Sequence, residues 1–303
     1  MGSRGSGWGR SAMVIGLLLM LSGCTSLTRL YFHPQQVWIR TPAELGLAYE
    51  DVALTAADGT SLHAWWIPAQ EDNNEDNTAA KAESVSSSVT PLPVVLYLHG
   101  NAENISSHLL SVSWLPPQGI GLLALDYRGF GASQGQPLLP DVLMDIQAAA
   151  EWLQQRFPDR PLVVLGQSIG AGLAVPFVAL QAERYGIDAL VLEAPPAHYA
   201  EVARDMFSRS WIGWVLIPAT WLLPSDWDPD NYAAAVSVPV LVIHSPDDQV
   251  IRVEQGKTLY SDVSGPACWI NATGPHIAGF SSAAVRQQTL AFISGLSCAA
   301  LSR

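Results

Sequence analysis

The chain has 303 residues, of which 49% are hydrophobic and only 14% are charged, a composition typical of one globular domain and not of a disordered protein. Its formal charge of -12 argues against DNA or RNA as a partner, because neutralising phosphates requires a positive surface. The three cysteines form no C-x-x-C pair and no H-E-x-x-H motif occurs, so the sequence predicts no metal site.

The N-terminal segment predicts export. Arg4 and Arg10 precede an uncharged apolar run at residues 12–21, which is about half as long as a bilayer-spanning helix. The run ends in Leu-Ser-Gly-Cys, which resembles the bacterial lipobox, where the cysteine receives lipid and becomes the first residue of the mature protein. We therefore predict a lipoprotein signal peptide at residues 1–23 and lipidation of Cys24. A plain secretory signal or an uncleaved anchor is the alternative.

Export also predicts a location and an oxidising environment. A lipidated Cys24 would hold the protein on the bacterial cell envelope. The next residue, Thr25 rather than Asp, resembles the pattern of outer-membrane sorting, so we expect the periplasmic side of the outer membrane. This compartment would permit a disulfide bond between Cys268 and Cys298, with two separate buried thiols as the alternative.

The next segments predict a tether, a hairpin and a loop. We interpret residues 24–49 as an N-terminal tether that leads into the folded domain. Residues 50–55 and 61–67 flank an Ala-Asp-Gly turn, which favours an antiparallel hairpin. Residues 70–90 are rich in acidic, Asn and Ser side chains without apolar periodicity, so we predict a flexible acidic loop.

From Pro93 onward, strands alternate with helices. Continuous apolar runs, typical of strands buried on both faces, lie at residues 94–98, 122–125, 162–165, 189–192 and 240–243. Helical spacing of apolar residues separates them, notably at 142–157 and 171–185, and a last strand near 267–271 precedes a closing helix at about 283–294. The pattern predicts right-handed βαβ units, a mostly parallel sheet and a three-layer α/β sandwich.

A glycine-flanked serine follows the third of these runs. Gly-Gln-Ser-Ile-Gly at residues 166–170 lies between the strand at 162–165 and the helix predicted from residue 171. So sharp a turn requires flanking residues without side chains, and it leaves the Ser168 hydroxyl above the sheet at a helix N-terminus. The pattern predicts a nucleophilic serine, and an ordinary helix N-cap is the alternative.

Three motifs together resemble the α/β-hydrolase superfamily, in its bacterial HGNAEN-type branch. They are His-Gly-Asn-Ala-Glu-Asn at 99–104, Asp-Tyr-Arg-Gly-Phe-Gly at 126–131 and Gly-Gln-Ser-Ile-Gly at 166–170. The resemblance covers about residues 93–292 and implies the three-layer α/β-hydrolase fold for a domain at residues 50–303. It also implies that the backbone N–H groups of Asn101 and Ile169 form the oxyanion hole.

The resemblance also implies the partners of the serine. A serine of ordinary pKa needs a base, and the base needs an orienting acid. The His-Ser-Pro-Asp-Asp stretch that follows the strand at 240–243 is similar to the family's His-Gly-x-x-Asp element, and it places the acid at Asp248 with Asp247 as the rival. Gly-Pro-His at the next strand end matches the family's catalytic histidine, which makes His276 the base. The same resemblance gives His99 and His244 structural roles.

An insert at residues 195–237 separates two of the predicted strands, and in the family an insert here forms a small helical cap over the active site. It contains four of the eleven tryptophans: Trp211, Trp214, Trp221 and Trp227. We consider Trp211, Trp214 and Trp221 as candidates for an apolar substrate pocket. The alternatives are that they pack the cap onto the body, or that they contact a membrane interface.

The resemblance implies a serine hydrolase that cleaves ester bonds of a small-molecule or lipid substrate through an acyl-enzyme and needs no cofactor. Thioesterase, lipase and peptidase activities remain open. The alternative function is a lipid-anchored binding or envelope-assembly protein with a catalytically silent hydrolase fold. Oligomeric state is not readable from the sequence.

Overall fold

The structure of the protein is a computed structural model that describes residues 28–70 and 91–302. The predicted signal peptide at residues 1–23, the predicted lipidation site Cys24 and residues 71–90 of the acidic segment lie outside the described residues. No helix in the described ranges is long and apolar enough to cross a membrane.

One mixed sheet organises the described residues. Its strands are β1 (Glu50–Thr55), β2 (Ser61–Ile67), β3 (Val94–Leu98), β4 (Gly121–Asp126), β5 (Leu162–Gln167), β6 (Ile187–Glu193), β7 (Val240–His244) and β8 (Ala267–Asn271). They lie in the order β1-β2-β4-β3-β5-β6-β7-β8. The pairs β1–β2 and β2–β4 are antiparallel and the other pairs are parallel, which confirms the predicted hairpin beside a mostly parallel sheet.

Helices cover both faces of this sheet. They are α1 (Ile105–Val112), α2 (Asp141–Arg156), α3 (Ile169–Tyr185), α4 (Tyr199–Ser208), α5 (Trp211–Trp214), α6 (Asp230–Ala233), α7 (Val253–Asp262) and α8 (Ala283–Gly295). Short 3-10 helices lie at Thr28–Tyr31, Pro42–Leu45, Pro116–Gln118, Ile217–Leu222, Gly279–Ser281 and Cys298–Ser302. The cap insert contains α4, α5, the 3-10 helix Ile217–Leu222 and α6, as the family resemblance implied.

The uninterrupted apolar strands have a direct structural reason. Successive side chains of a strand face opposite sides, so a strand covered on both sides must be apolar at every position. In β3, Leu96 and Leu98 pack in the core with α2 and α3, whereas Val95 and Tyr97 pack in a second core with α1 and α8. The two cores on either side of one sheet confirm the three-layer α/β-hydrolase fold.

The last strand is joined covalently to the end of the chain. Cys268 in β8 and Cys298, which begins the final 3-10 helix, form a disulfide bond. Of the two possibilities that the sequence left open, the structure contains the bridge. The bond holds the edge strand of the sheet to the segment that follows α8.

Candidate active site

Ser168 lies in a sharp turn between β5 and α3. Its φ of 54° and ψ of -121° place a non-glycine residue in the left-handed region, which is the conformation expected of a nucleophile at a strand-to-helix turn. A Cβ at Gly166 would collide with the backbone of Gly170 and Ala171, and a Cβ at Gly170 would collide with Leu98 O. The two glycines are therefore required by the close approach of backbone atoms, as the sequence pattern predicts.

Three side chains that are distant in the sequence meet above this turn. His276 Nε2 lies 2.8 Å from Ser168 Oγ, and His276 Nδ1 lies 2.7 Å from Asp248 Oδ2. The parallel direction of β5, β7 and β8 explains the meeting, because the loops after their carboxyl ends lie at one edge of the sheet. A hydroxyl, an imidazole and a carboxylate in this order form the arrangement in which a base can accept the serine proton.

Asp248 is well suited to orient the imidazole. Its Oδ1 accepts hydrogen bonds from the backbone N–H groups of Val250 (2.7 Å) and Ile251 (3.0 Å). Burial alone would raise the pKa of this carboxyl, but its contacts with the imidazoles of His244 and His276 and with the N–H of Ile251 hold the pKa well below its usual range. Its neighbour Asp247, the rival acid, is exposed to solvent and only donates its backbone N–H to Ser245 Oγ.

His244 and His99 lie beneath the site and are buried. His244 Nε2 is 3.0 Å from Ile251 O and 3.5 Å from Asp248 Oδ2, so it supports the loop that presents the carboxylate. His99 Nδ1 is 2.7 Å from Gly100 O, and burial lowers its pKa well below the usual value. In the described part of the chain, neither ring is hydrogen-bonded to Ser168, and both positions agree with structural roles.

The expected oxyanion residues flank the serine. Ile169 begins α3 directly after Ser168, Asn101 follows β3, and all three line one cleft. The Asn101 side chain donates to Tyr31 O (2.7 Å) and accepts from the backbone N–H of His33 (2.8 Å). The chain N-terminal to β1 thus fixes the loop that carries one expected oxyanion donor.

This N-terminal segment is part of the site, which the sequence interpretation of a tether missed. Asn104 Nδ2 donates to Gln35 O (3.0 Å) and Val37 O (2.9 Å), so residues 31–37 support most of the loop at 99–104. The Tyr31 ring stacks on Tyr199 of the cap at 4.9 Å between centroids. A possible signal was the paired aromatic residues at 31 and 32, but their partners are distant in the sequence.

The cleft beside Ser168 has a volume of about 310 Å³ and a mostly apolar lining. Besides Ser168, Asn101 and Ile169, it is lined by Tyr31, His33, Ala102, Pro196, Tyr199, Val202, Ala203, Met206, Val250 and Ile251. Among the described residues, none of those lining it is Asp, Glu, Lys or Arg.

The tryptophans considered for this pocket lie elsewhere. Trp211, Trp214 and Trp221 are not part of the described lining, and all three side chains are strongly exposed. The cap places α4 over the serine, so Val202, Ala203 and Met206 occupy the position expected of the tryptophans. The insert was correctly located in the chain, but which of its helices faces inward depends on packing that its composition does not reveal.

A buried carboxylate supports the loop that carries the imidazole. Glu193, the last residue of β6, accepts a hydrogen bond from the backbone N–H of Gly279 (2.7 Å) and another from the Gln167 side chain. Gln167 in turn accepts from Tyr97 Oη. Burial raises the pKa of Glu193. Sequence reasoning missed this residue, although an acid at the end of an otherwise apolar strand is a signal of a buried polar role.

The described ranges contain no group of three or more His, Cys, Asp or Glu side chains placed to hold a metal ion.

Comparison with known proteins identifies the family of the chain. A family model described as serine aminopeptidase, S33 (Hydrolase_4) matches residues 90–227. The uncharacterized protein YfhR of Salmonella typhi is 32% identical over 280 residues, which cover 88% of this chain and 87% of that protein. The chain belongs to the α/β-hydrolase superfamily. The family model and the lipase relative described below together support a hydrolase.

A further relative and a solved structure are also similar to this α/β-hydrolase. The lysophosphatidylserine lipase ABHD12 of Danio rerio is 32% identical over 199 residues, which cover 63% of this chain and 52% of that protein. The solved esterase Pf2001 of Pyrococcus furiosus superposes with a TM-score of 0.64 at 22% identity, covering 87% of this chain and 95% of that chain. The second likeness shows the shared fold.

Proposed function

We propose that this α/β-hydrolase is a serine esterase of the bacterial envelope that cleaves uncharged, apolar esters through an acyl-enzyme. The observation that carries the proposal is the continuous contact from Ser168 Oγ through His276 to Asp248, with distances of 2.8 and 2.7 Å. Assignment to the HGNAEN-type branch of the superfamily rests on the motif at residues 99–104.

In the proposed mechanism, His276 Nε2 accepts the hydroxyl proton while Ser168 Oγ attacks the ester carbonyl carbon. Asp248 stabilises the imidazolium that forms, and the backbone N–H groups of Asn101 and Ile169 donate to the carbonyl oxygen as it becomes negative. The intermediate collapses when the imidazolium protonates the leaving alkoxide, which departs as the alcohol. Water, deprotonated by the same imidazole, then attacks the acyl-enzyme. The bond to Ser168 Oγ breaks, the imidazolium returns its proton to that oxygen, and the carboxylic acid departs.

The cleft supports an uncharged and apolar substrate group. Its lining carries no charged side chain among the described residues, so a charged group would lose hydration without gaining a partner. Its volume of about 310 Å³ is at the lower end of ligand pockets, which favours short or narrow acyl groups. The relative ABHD12, named a lysophosphatidylserine lipase, supports an ester substrate. The family model is named for a serine aminopeptidase, so peptide substrates are the rival that substrate assays must exclude.

The proposed location rests on the sequence of the first residues. The apolar run at residues 12–21 and the lipobox-like end before Cys24 support export and lipidation, with Thr25 favouring the outer membrane. The Cys268–Cys298 disulfide is compatible with an oxidising compartment. Incorporation of radiolabelled palmitate into the wild type, and its loss in Cys24→Ala, would test this part of the proposal.

The hydrolytic part is tested with a fluorophosphonate probe, which reacts with activated serines. We expect the wild type and Ser261→Ala, which changes an exposed serine of α7, to be labelled equally, whereas Ser168→Ala stays unlabelled. Circular dichroism melts of the three proteins control for folding. An unlabelled but folded wild type, or equal labelling of Ser168→Ala, would instead support a catalytically silent binding protein.

A further inference from the structure

The outer face of the cap carries a cluster of exposed apolar side chains. Trp211, Trp214 and Trp221 are 82, 66 and 76% exposed, and Ile212, Val215, Leu216 and Leu222 are exposed beside them in sequence. We call the exposed apolar side chains of residues 211–222 the cap patch. Seven of the 15 exposed large hydrophobic residues in the described ranges belong to it. A cluster of exposed apolar residues of this kind marks a surface that contacts another protein or a membrane.

The helices that carry the cap patch pack against α4, and their sequence contains no charged residue. Helix α5 and the 3-10 helix that follows it both pack against α4, so the patch has a fixed support. Trp214 Nε1 donates to Ser208 O (2.8 Å) and Thr220 Oγ1 donates to Ile217 O (2.7 Å), which satisfies these polar groups within the cap. Residues 210–225 contain no charged side chain.

The first described residues of the chain contact the cap beside the cap patch. Tyr31 Oη donates to Pro224 O (2.9 Å), two residues after the end of the patch. The predicted lipidation site Cys24 precedes Thr28, where the described chain begins, by four positions, which can span at most ~14 Å. A lipid anchor at Cys24 would therefore keep the cap close to the same membrane.

We propose that the cap patch docks on a phospholipid bilayer, with its tryptophans at the level between headgroups and acyl chains. Tryptophan favours this level because its ring is apolar and its N–H is polar. The formal charge of -12 disfavours anionic headgroups, so the matching surface is a zwitterionic bilayer such as phosphatidylcholine. The patch binds by apolar burial, in addition to any N-terminal anchor.

Docking in this way has a consequence for the cleft. Met206 lies on α4, lines the cleft beside Ser168 and is itself 52% exposed, so the cleft reaches the surface of the cap. An ester that leaves the bilayer could then enter the cleft without crossing bulk water. This step rests on the proposed esterase function, whereas the docking itself does not.

The test measures where the tryptophans lie when the full chain is reconstituted into phosphatidylcholine vesicles. Lipids brominated on their acyl chains quench tryptophan emission at close range. The variants Trp211→Phe, Trp214→Phe and Trp221→Phe each keep an apolar ring but remove one emitter. We expect each variant to lose part of the emission that brominated lipid quenches in the wild type, and the triple variant to lose most of it.

The matched control is Trp38→Phe, which removes an exposed tryptophan outside the cap. Its removal is expected to leave the quenched emission unchanged. The proposal is overturned if the triple cap variant retains the quenching of the wild type. It is equally overturned if cap emission is insensitive to brominated lipid because a second copy of the chain or the N-terminal run covers the patch, which cross-linking would reveal.

A second measurement distinguishes failure of docking from failure of the proposed hydrolysis. Fluorophosphonate labelling of Ser168 in the same vesicles reports the nucleophile, whereas bromolipid quenching reports only position. Quenching without labelling would support docking and overturn the esterase. Labelling without quenching would support the esterase and overturn docking.

Discussion

Backbone strain is concentrated around the candidate active site. Six non-glycine residues in the described ranges have positive φ: Ala102, Glu103, Ser168, Ala194, Ile277 and Leu296. The first five lie in loops or turns that follow β3, β5, β6 and β8, at the edge of the sheet where Ser168 and His276 meet. Each such conformation costs about 1 kcal/mol or more, so the surrounding contacts must hold these loops in place. The strained backbone at this edge of the sheet therefore positions the side chains of the site at a cost in stability.

Replacing the orienting acid tests which aspartate acts. We expect Asp248→Asn to lower kcat/KM for a p-nitrophenyl ester by roughly 10⁴-fold, because an amide neither stabilises the imidazolium nor holds the required tautomer. Asp247→Asn is the matched control and is expected to leave kcat/KM nearly unchanged, since this side chain faces solvent. Steady-state kinetics on both purified proteins checks the prediction, and the reverse order of effects would assign the acid to Asp247.

Glu193 is expected to act as a positioning residue for the loop that carries His276. The Glu193 carboxylate accepts hydrogen bonds from Gly279 and Gln167, one on each oxygen. In Glu193→Gln, one of these oxygens becomes an N–H₂ group that cannot accept, so one buried donor loses its acceptor. We expect kcat to fall roughly 10- to 100-fold through displacement of the imidazole, with KM little changed. The exposed Glu151→Gln on α2 serves as the control. If Glu193→Gln lowered the free energy of unfolding but left kcat unchanged, Glu193 would have a purely structural role.

At the scale of elements, the sequence predicted those parts that depend on local pattern. The apolar runs identified β3 to β7, and the glycines around Ser168 identified the turn, since each leaves a mark in a few consecutive residues. The inner face of the cap and the support of the loop at 99–104 could not be predicted. Both depend on contacts between distant segments. The loop, for example, is held by residues 31–37, which are about seventy residues away in the sequence and share no pattern with it.

The motif at residues 126–131 contains an arginine that forms a buried ion pair with α2 and a second ion pair with the hairpin turn. The Arg128 guanidinium donates to both carboxylate oxygens of Asp145 in α2, with Nη2 to Oδ1 at 2.6 Å, and to Asp58 in the hairpin turn at 2.8 Å. The side chains of Arg128 and Asp145 are almost completely buried. The arginine therefore links the β1–β2 hairpin to the helix beside it.

Breaking this pair is expected to be costly. Arg128→Ala leaves the Asp145 carboxylate buried without its partner, and we expect the free energy of unfolding to fall by about 3–5 kcal/mol. Urea denaturation followed by circular dichroism measures the loss. The double variant Arg128→Met with Asp145→Asn removes both charges and keeps an amide oxygen that can accept the backbone N–H of residue 128 (2.8 Å in the wild type), so it should recover most of the stability. A double variant as unstable as the single one would contradict the assignment of the loss to an unpaired charge.

At the scale of the whole molecule, the disulfide bond restricts the conformations open to the unfolded chain. Cys268 and Cys298 are separated by 30 positions, and closing a loop of that size stabilises a protein by about 4 kcal/mol on the chain-entropy model. We expect Cys298→Ser to lower the free energy of unfolding by roughly this amount. Reduction of the wild type with dithiothreitol should reproduce the loss, whereas the variant should not respond. An unchanged urea midpoint after reduction would contradict a stabilising bridge.

The N-terminal segment that holds Asn101 and Asn104 has a consequence for the proposed membrane anchor, because it determines which form of the domain a protease could release. A protease that cuts before Thr28 would free a domain whose oxyanion loop keeps its supports at Tyr31, His33 and Gln35. A cut between that segment and β1 would free a domain without them, and with one wall of its cleft missing. The position of the cut would thus decide whether the released form is active.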